Sequence, residues 1–298
     1  MFPAVSVVVA TRNYGRYLAG ALRSILDQSW RDFEVVVIDD GSTDNTPDVV
    51  RPFLSDLRVH YQRTDGLGQS RAKNLGIQLS RAPLVAFLDG DDEWLSVKLE
   101  RQLPLFQNPA VGVVYSRRTL MDADGRDLPT PPATPVRGRV YDPLLVQNFV
   151  CFSSVVVRRE VFETVGMFDP GLPLGIDYDL WLRVAKHYEF DFVDEALVRY
   201  RTGHSNLSSR ITERITSVLS VLRRSLVRRR NEEVAARRAQ AEAWSSTCRT
   251  MGFVLRTTDR FAAARWYLRA ARHDGRWLSA LKAIAGGFLR RLARPVRR

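Results

Sequence analysis

The stretch Leu84-Val85-Ala86-Phe87-Leu88-Asp89-Gly90-Asp91-Asp92 is an apolar run that ends in three carboxylates within four residues. The apolar half reads as a buried strand, and the acids sit where such a strand leaves the core. Like charges at that spacing raise one another's pKa unless a cation neutralises them. A hard divalent ion, Mg²⁺ or Mn²⁺, held by one or two carboxylates and completed by substrate phosphates, relieves the conflict. The competing reading is a solvated turn in which Asp92 caps the following helix. A strand this apolar feeding the acids favours the cation.

Outward from this stretch, short apolar runs alternate with amphipathic ones, the pattern of parallel strands joined by crossover helices. Strands are expected at Val5–Ala10, Glu34–Asp39, Arg58–Gln62, Leu84–Asp89 and Val111–Ser116. Helices are expected at Tyr17–Gln28, Thr46–Leu54, Gly68–Ser80 and Val97–Phe106. From Met121 to Arg139, Asp124-Gly125 and four prolines predict a long irregular loop. Beyond it the sequence predicts a short helix from Tyr141, a strand at Ser154–Arg158, a helix around Ile176–Ala185, and strands near Phe190 and Leu197. After Ser208 apolar residues recur at helical spacing only, as in Ile211, Ile215, Leu222 and Leu226. The expected organisation is an α/β domain over residues 1–207 and a basic helical region over 208–298.

Other polar clusters fall at the ends of expected strands. Asp39-Asp40-Gly41-Ser42-Thr43-Asp44 follows the second strand, where a carboxylate can accept hydrogen bonds from a ribose or a base edge. A Gly41 turn with Ser42 or Thr43 as a helix cap explains the same residues, and both readings can hold together. Gly68-Gln69-Ser70-Arg71-Ala72-Lys73-Asn74 places two cations near a helix N-terminus, which suits a diphosphate. Gly175-Ile176-Asp177-Tyr178-Asp179 opens a helix with two acids that point in different directions.

Taken in order, five of these motifs resemble glycosyltransferase family 2, the inverting enzymes with the GT-A fold. They are Val5–Val9 with Thr11-Arg12-Asn13, Val37–Asp44, Lys73-Asn74-Leu75-Gly76, Phe87–Asp92 and Asp177-Tyr178-Asp179-Leu180-Trp181-Leu182. The resemblance covers about residues 4–207 and implies a Rossmann-like, mostly parallel sheet flanked by helices. It implies a nucleotide-sugar donor, a UDP-sugar first among the candidates, and a glycan or lipid-linked acceptor. Thr11, Asn13 and Asp40 would hold the nucleotide, Arg71 or Lys73 the diphosphate, and Asp89 the ribose or the metal shell. Asp91 would ligate Mn²⁺ or Mg²⁺, joined by His204, and Asp177 would be the general base. Many relatives carry Glu immediately before that base, where this chain has Ile176.

Rival readings fit less well. A sugar-phosphate nucleotidylyltransferase needs a Gly-rich, Arg-bearing loop after the first strand, and Thr11-Arg12-Asn13-Tyr14-Gly15 offers one Gly. No G-x-G-x-x-G follows any strand, which removes a dinucleotide oxidoreductase.

The net charge of +12 is unevenly placed, with 22 Lys/Arg against 6 Asp/Glu in residues 206–298 and 23 against 27 before them. Such asymmetry points to an anionic partner for the C-terminal third, nucleic acid or a lipid surface. Trp244, Trp266 and Trp277 fall in phase with apolar stripes rather than forming a reading platform, which argues against nucleic acid. Trp277, Leu278, Leu281, Ile284, Ala285, Phe288 and Leu292 form one stripe accompanied by arginines, as in an interfacial helix, and packing of the stripe onto the α/β domain explains it equally well. Two cysteines, Cys151 and Cys248, suggest a reducing compartment. No apolar run approaches the roughly eighteen residues a spanning helix needs. The expected location is cytoplasmic, peripheral at the inner face of the membrane.

Overall fold

A computed structural model describes residues 2–132, 134, 136–204, 210–227, 234–256 and 258–289 of the chain. They divide into two compact units, the first holding residues 1–140 and 149–205, the second 141–148 and 206–298. The boundary expected near 207 lies outside the described residues. Residues 141–148, expected in the α/β part, belong to the second unit.

The first unit is built on a nine-stranded sheet: β1 (Val5–Thr11), β2 (Phe33–Asp39), β3 (Val59–Arg63), β4 (Leu84–Phe87), β5 (Glu93–Trp94), β6 (Val111–Met121), β7 (Asp127–Leu128), β8 (Val156–Arg158) and β9 (Glu189–Arg201). Its spatial order is β3-β2-β1-β4-β8-β6-β9-β5, with β7 paired to β6. The first four strands run parallel, as the alternating pattern predicts. Past β4 the sheet turns mixed: β8 is antiparallel to both β4 and β6, β9 runs parallel to β6, and β5 is antiparallel to β9.

Parallel strands covered by helices bury both faces, which is why β1 and β2 are near-continuous runs of Val and Ile. The covering helices are α1 (Gly15–Leu26), α2 (Thr46–Val50), α3 (Gln69–Leu79) and α4 (Lys98–Gln102). The α3 helix lies so close to β1 that a Cβ on Gly76 would stand 2.3 Å from a methyl of Val8. Only glycine fits there.

Several expected elements differ. The fourth strand ends at Phe87, two residues before the acids, although the Leu88 N–H still donates to the Val8 carbonyl at 3.1 Å. The segments near Phe190 and Leu197 form one strand, β9, whose pairing with β6 is interrupted by irregular register at Ser116–Arg118. The proline-rich loop is not wholly irregular, since the Asp124-Gly125 turn folds β7 back onto β6. Sequence patterning missed α6 (Arg159–Val165); α7 (Ile176–Val184) falls where it was expected.

The second unit contains α5 (Tyr141–Val146), α8 (Ile211–Val227), α9 (Val234–Leu255), α10 (Arg260–Asp274) and α11 (Trp277–Leu289). Ile215, Leu219, Cys248, Met251 and Ala270 form one cluster, and Ala263, Tyr267, Ala271 and Ala280 another. The expected single stripe on the last helix is divided, because Ile284 packs against the α10 cluster while Trp277, Leu278 and Leu281 stay exposed. Leu292, Arg290, Arg291, Arg294, Arg297 and Arg298 lie outside the described residues. Among the described residues no helix is long and apolar enough to cross a membrane.

Candidate active site

Three adjacent parallel strands, β2, β1 and β4, release their chains at one edge of the sheet. Thr11 is the last residue of β1, Asp40 follows β2, and Asp89, Asp91 and Asp92 follow β4. Chain direction alone therefore gathers Thr11, Asp40 and the acidic loop.

Each residue has its own environment. The Thr11 hydroxyl is buried without a hydrogen-bond partner among the described residues, beside Gly90 of the acidic loop, where a Cβ would lie 2.9 Å from it. Asn13, held at φ 58°, ties two loops together. Its backbone N–H donates to the Ser42 hydroxyl at 2.9 Å, and its side-chain oxygen accepts from the Thr43 N–H at 2.7 Å. Asp40 accepts from the Thr64 hydroxyl (2.8 Å), the Leu67 N–H (2.5 Å) and the Gly68 N–H (2.9 Å). A carboxylate offers about four acceptor positions, so roughly one remains beyond these loop contacts.

The two cations expected beside one another on α3 part company. Arg71 is exposed, whereas Lys73 is buried, donates to Asp89 at 2.6 Å and rests 3.9 Å over the Phe152 ring. Asp91 and His204 meet with Nε2 2.8 Å from Oδ2, both side chains about nine-tenths buried. His204 Nδ1 has no partner among the described residues. Asp92, almost wholly buried, accepts from the Ser153 hydroxyl at 2.5 Å and from the Arg201 N–H at 2.8 Å. Burial, with Asp91 and Asp89 close by, pushes the Asp92 carboxyl well above the usual range. Burial and the same two acids raise Tyr14. The three carboxylates share this region with Lys73, His204 and Arg201.

The sequence reading missed the wall around His204. Tyr14 meets the imidazole edge-on with centroids 5.9 Å apart, and Tyr17 stands 5.1 Å away. Arg201 lies 4.7 Å over Tyr17 and donates to the Asp91 backbone carbonyl at 2.8 Å. Ser153 was missed as well. It accepts from the Asp89 N–H at 3.2 Å while donating to Asp92, so one hydroxyl spans the acidic loop. Nothing in the local pattern Phe152-Ser153-Ser154 marks it.

The two acids of α7 also differ. Asp179 accepts from Arg183 Nε at 2.9 Å, and that guanidinium also donates to the carbonyls of Val165, Gly166 and Met167. Asp177 is half-buried in the first turn. The loop leading into α7 is fastened to α3: Ser70 donates to the Asp169 carbonyl at 3.0 Å, Asn74 to that of Phe168 at 2.9 Å, and Gln69 to that of Pro173 at 2.7 Å. The helix carrying Lys73 and the helix carrying Asp177 are thus held together.

Among the described residues no three His, Cys, Asp or Glu side chains gather into a closed metal site. Asp91 and His204 place an oxygen and a nitrogen donor side by side, residues that could hold a cation. A Mg²⁺ or Mn²⁺ completed by substrate phosphates needs no more from the protein.

A sequence model described as glycosyl transferase family 2 matches residues 6–166, more than half of the 298. The chain belongs to this family. A relative in Bacillus subtilis, TuaG, whose name places it among glycosyltransferases of teichuronic acid biosynthesis, is 30% identical over 210 residues, 70% of this chain and 82% of that one. An uncharacterised glycosyltransferase of Nostoc sp. is 35% identical over 179 residues, 56% of this chain but only 54% of the relative, so the match spans about half of that protein. Among solved structures, TarS of S. aureus with UDP-GlcNAc superposes with a TM-score of 0.71 at 18% identity, covering 92% of this chain and 83% of that one. The mannosyltransferase PcManGT of Pyrobaculum calidifontis, with GDP-Man and Mn²⁺, gives 0.63 at 16%, covering 98% and 88%. The fold is GT-A, and the chain is a glycosyltransferase.

Proposed function

We propose that the protein transfers a sugar from a nucleoside-diphosphate sugar to an acceptor hydroxyl by a single inverting displacement. The observation that carries this reading is the set of groups gathered at the ends of β1 and β4: a Thr11 hydroxyl with no hydrogen-bond partner among the described residues, Asp91 paired with His204, and Asp89 paired with Lys73 of α3. Thr11 and the remaining acceptor position of Asp40 suit a nucleotide base, with Asn13 fixing the loop between them. Lys73 suits the diphosphate while it orients Asp89, and Arg71 adds an exposed cation on the same helix. Asp91 and His204 would hold the divalent ion, which when bound supplies charge stabilisation for a diphosphate leaving group.

Asp177 takes the proton of the acceptor hydroxyl as the acceptor oxygen attacks the anomeric carbon; the bond from that carbon to the β-phosphate oxygen breaks, and the nucleoside diphosphate departs from the opposite face. Asp177 takes this role by its place in the family's motif, while Asp179 is held by Arg183. The preferred donor is a UDP-sugar, in line with the UDP-GlcNAc bound by TarS, and the acceptor is a glycan or lipid-linked saccharide.

The test is a panel of sugar nucleotides with Mn²⁺, read by melting temperature and by release of nucleoside diphosphate. One donor should raise Tm by mass action and turn over. Asp91→Ala should lose turnover and Mn²⁺ affinity while keeping the parent's circular dichroism. Full turnover by Asp91→Ala, or by the parent in excess EDTA, refutes the metal assignment.

A further inference from the structure

Helices α10 and α11 expose Phe261 (78%), Leu268 (37%), Trp277 (46%), Leu278 (77%) and Leu281 (55%) to solvent. Only Gly275 and Arg276 separate the two helices, with Gly275 at φ 71° ending the first, so they form a tight hairpin. They pack through Ala263, Tyr267 and Ala271 on one side and Ala280, with Ala283 and Ile284, on the other. One residue further along each helix turns about 100° away from that seam, and in an antiparallel pair the two turns lead to the same flank. Leu268 follows Tyr267, and Leu281 follows Ala280. Phe261, seven residues before Leu268, returns to its stripe, while Trp277 precedes Leu281 by four. The apolar flank therefore belongs to both helices rather than to one.

Its charged residues are of one sign. Arg265 and Arg272 lie three before and four after Leu268, on the same ridge, and Arg276 and Lys282 are exposed beside the α11 side chains. The two acids in residues 259–289 are engaged elsewhere: Asp259 caps α10 by accepting from the Ala262 N–H, and Asp274 is held by Ser245 and Arg249. An apolar strip with a Trp and a cationic margin matches a lipid interface, where the apolar side chains enter the acyl boundary and the guanidinium groups meet headgroup phosphates. Nucleic acid calls for a row of stacking faces. Here Trp244 stacks on His273 and Trp266 is covered by Arg269, and the exposed aromatics, Phe261 and Trp277, stand on an apolar flank with Leu268, Leu278 and Leu281.

We propose that the exposed flank of the α10–α11 hairpin docks on an anionic membrane surface. This inference is independent of the assignment of donor, acceptor or base.

The test uses the full chain and vesicle flotation, with phosphatidylcholine alone or mixed with phosphatidylglycerol. The protein should float with the anionic vesicles at low salt, detach as salt is raised, and stay behind with the neutral ones. Leu278→Ser with Leu281→Ser should cut binding at least tenfold, and Phe261→Ser, on the other helix, should cut it severalfold. Donor turnover and circular dichroism should stay unchanged in each, and Phe261→Ser keeps the test valid if the double variant misfolds. Absence of flotation, parental flotation by both variants, or equal binding to neutral vesicles overturns the proposal. So does lipid-free dimerisation that these substitutions abolish, which would assign the flank to a second copy.

Discussion

Asp177 and Asp179 share the first turn of one helix, and exchanging each for Asn should give opposite signatures. Asp177→Asn keeps shape and hydrogen bonding but removes basicity. General base catalysis contributes about 10²–10⁴ in rate, so kcat should fall by that factor, about 2.7–5.4 kcal/mol of barrier. Donor affinity and Tm should hold. For Asp179→Asn the structure gives a different ledger. Its side chain is 12% exposed and its partner Arg183 23%, and the guanidinium fastens the Val165–Met167 loop. An amide still accepts from Arg183 Nε, so what is lost is the charge-assisted part, about 1–2 kcal/mol. For a unit of about 200 residues that lowers Tm by roughly 2–8 °C while kcat at 25 °C stays near parental. Steady-state kinetics and thermal melts on both variants decide it. A dead, stable Asp179→Asn beside an active Asp177→Asn would refute the assignment.

Two further outcomes follow from individual contacts. Lys73→Met removes the 2.6 Å partner of Asp89, and donor Kd by calorimetry should rise about ten- to a hundredfold; an unchanged Kd would place Lys73 outside the donor site. Burial alone would raise Asp274, but the Ser245 hydroxyl, the Arg276 N–H and Arg249 outweigh it and hold the carboxyl at about 2 instead of 3.8. A depressed pKa stabilises the fold above the unfolded value and loses that contribution as pH falls through the folded one. Asp274→Asn should therefore be less stable than the parent at neutral pH, by at most about 2.4 kcal/mol, with the gap closing between about pH 4 and 2 in thermal melts.

The parallel half of the sheet was legible because its signal is local: runs of Val and Ile closed by Gly and Asp report burial on both faces. The mixed half was not. Strands β5 and β7 are two residues long and exist only because β9 and β6 offer them edges, so no periodicity can announce them. The single strand β9 looked like two because its bulged register at Ser116–Arg118 of the partner breaks the alternation. The stripe on α11 was misread for a related reason, since periodicity shows which residues share a face but not that a neighbouring helix takes Ile284 from it.

The site follows the same division. Strand ends are written into the sequence, so Thr11, Asp40, Asp89 and Asp91 could be placed at one edge before any coordinates. What the sequence could not show is how each acid is used once there. Three neighbouring carboxylates end in three different states: Asp89 is paired with a buried lysine, Asp91 with an imidazole, and Asp92 is sealed by Ser153 and the Arg201 backbone. Their partners come from α3, from the chain after β9 and from residue 153, distances of 16 to 113 residues along the chain. The proposed division of labour rests on those partners: the sealed Asp92 would shape the loop, the partly exposed Asp89 would reach a ligand, and Asp91 with His204 would hold the cation.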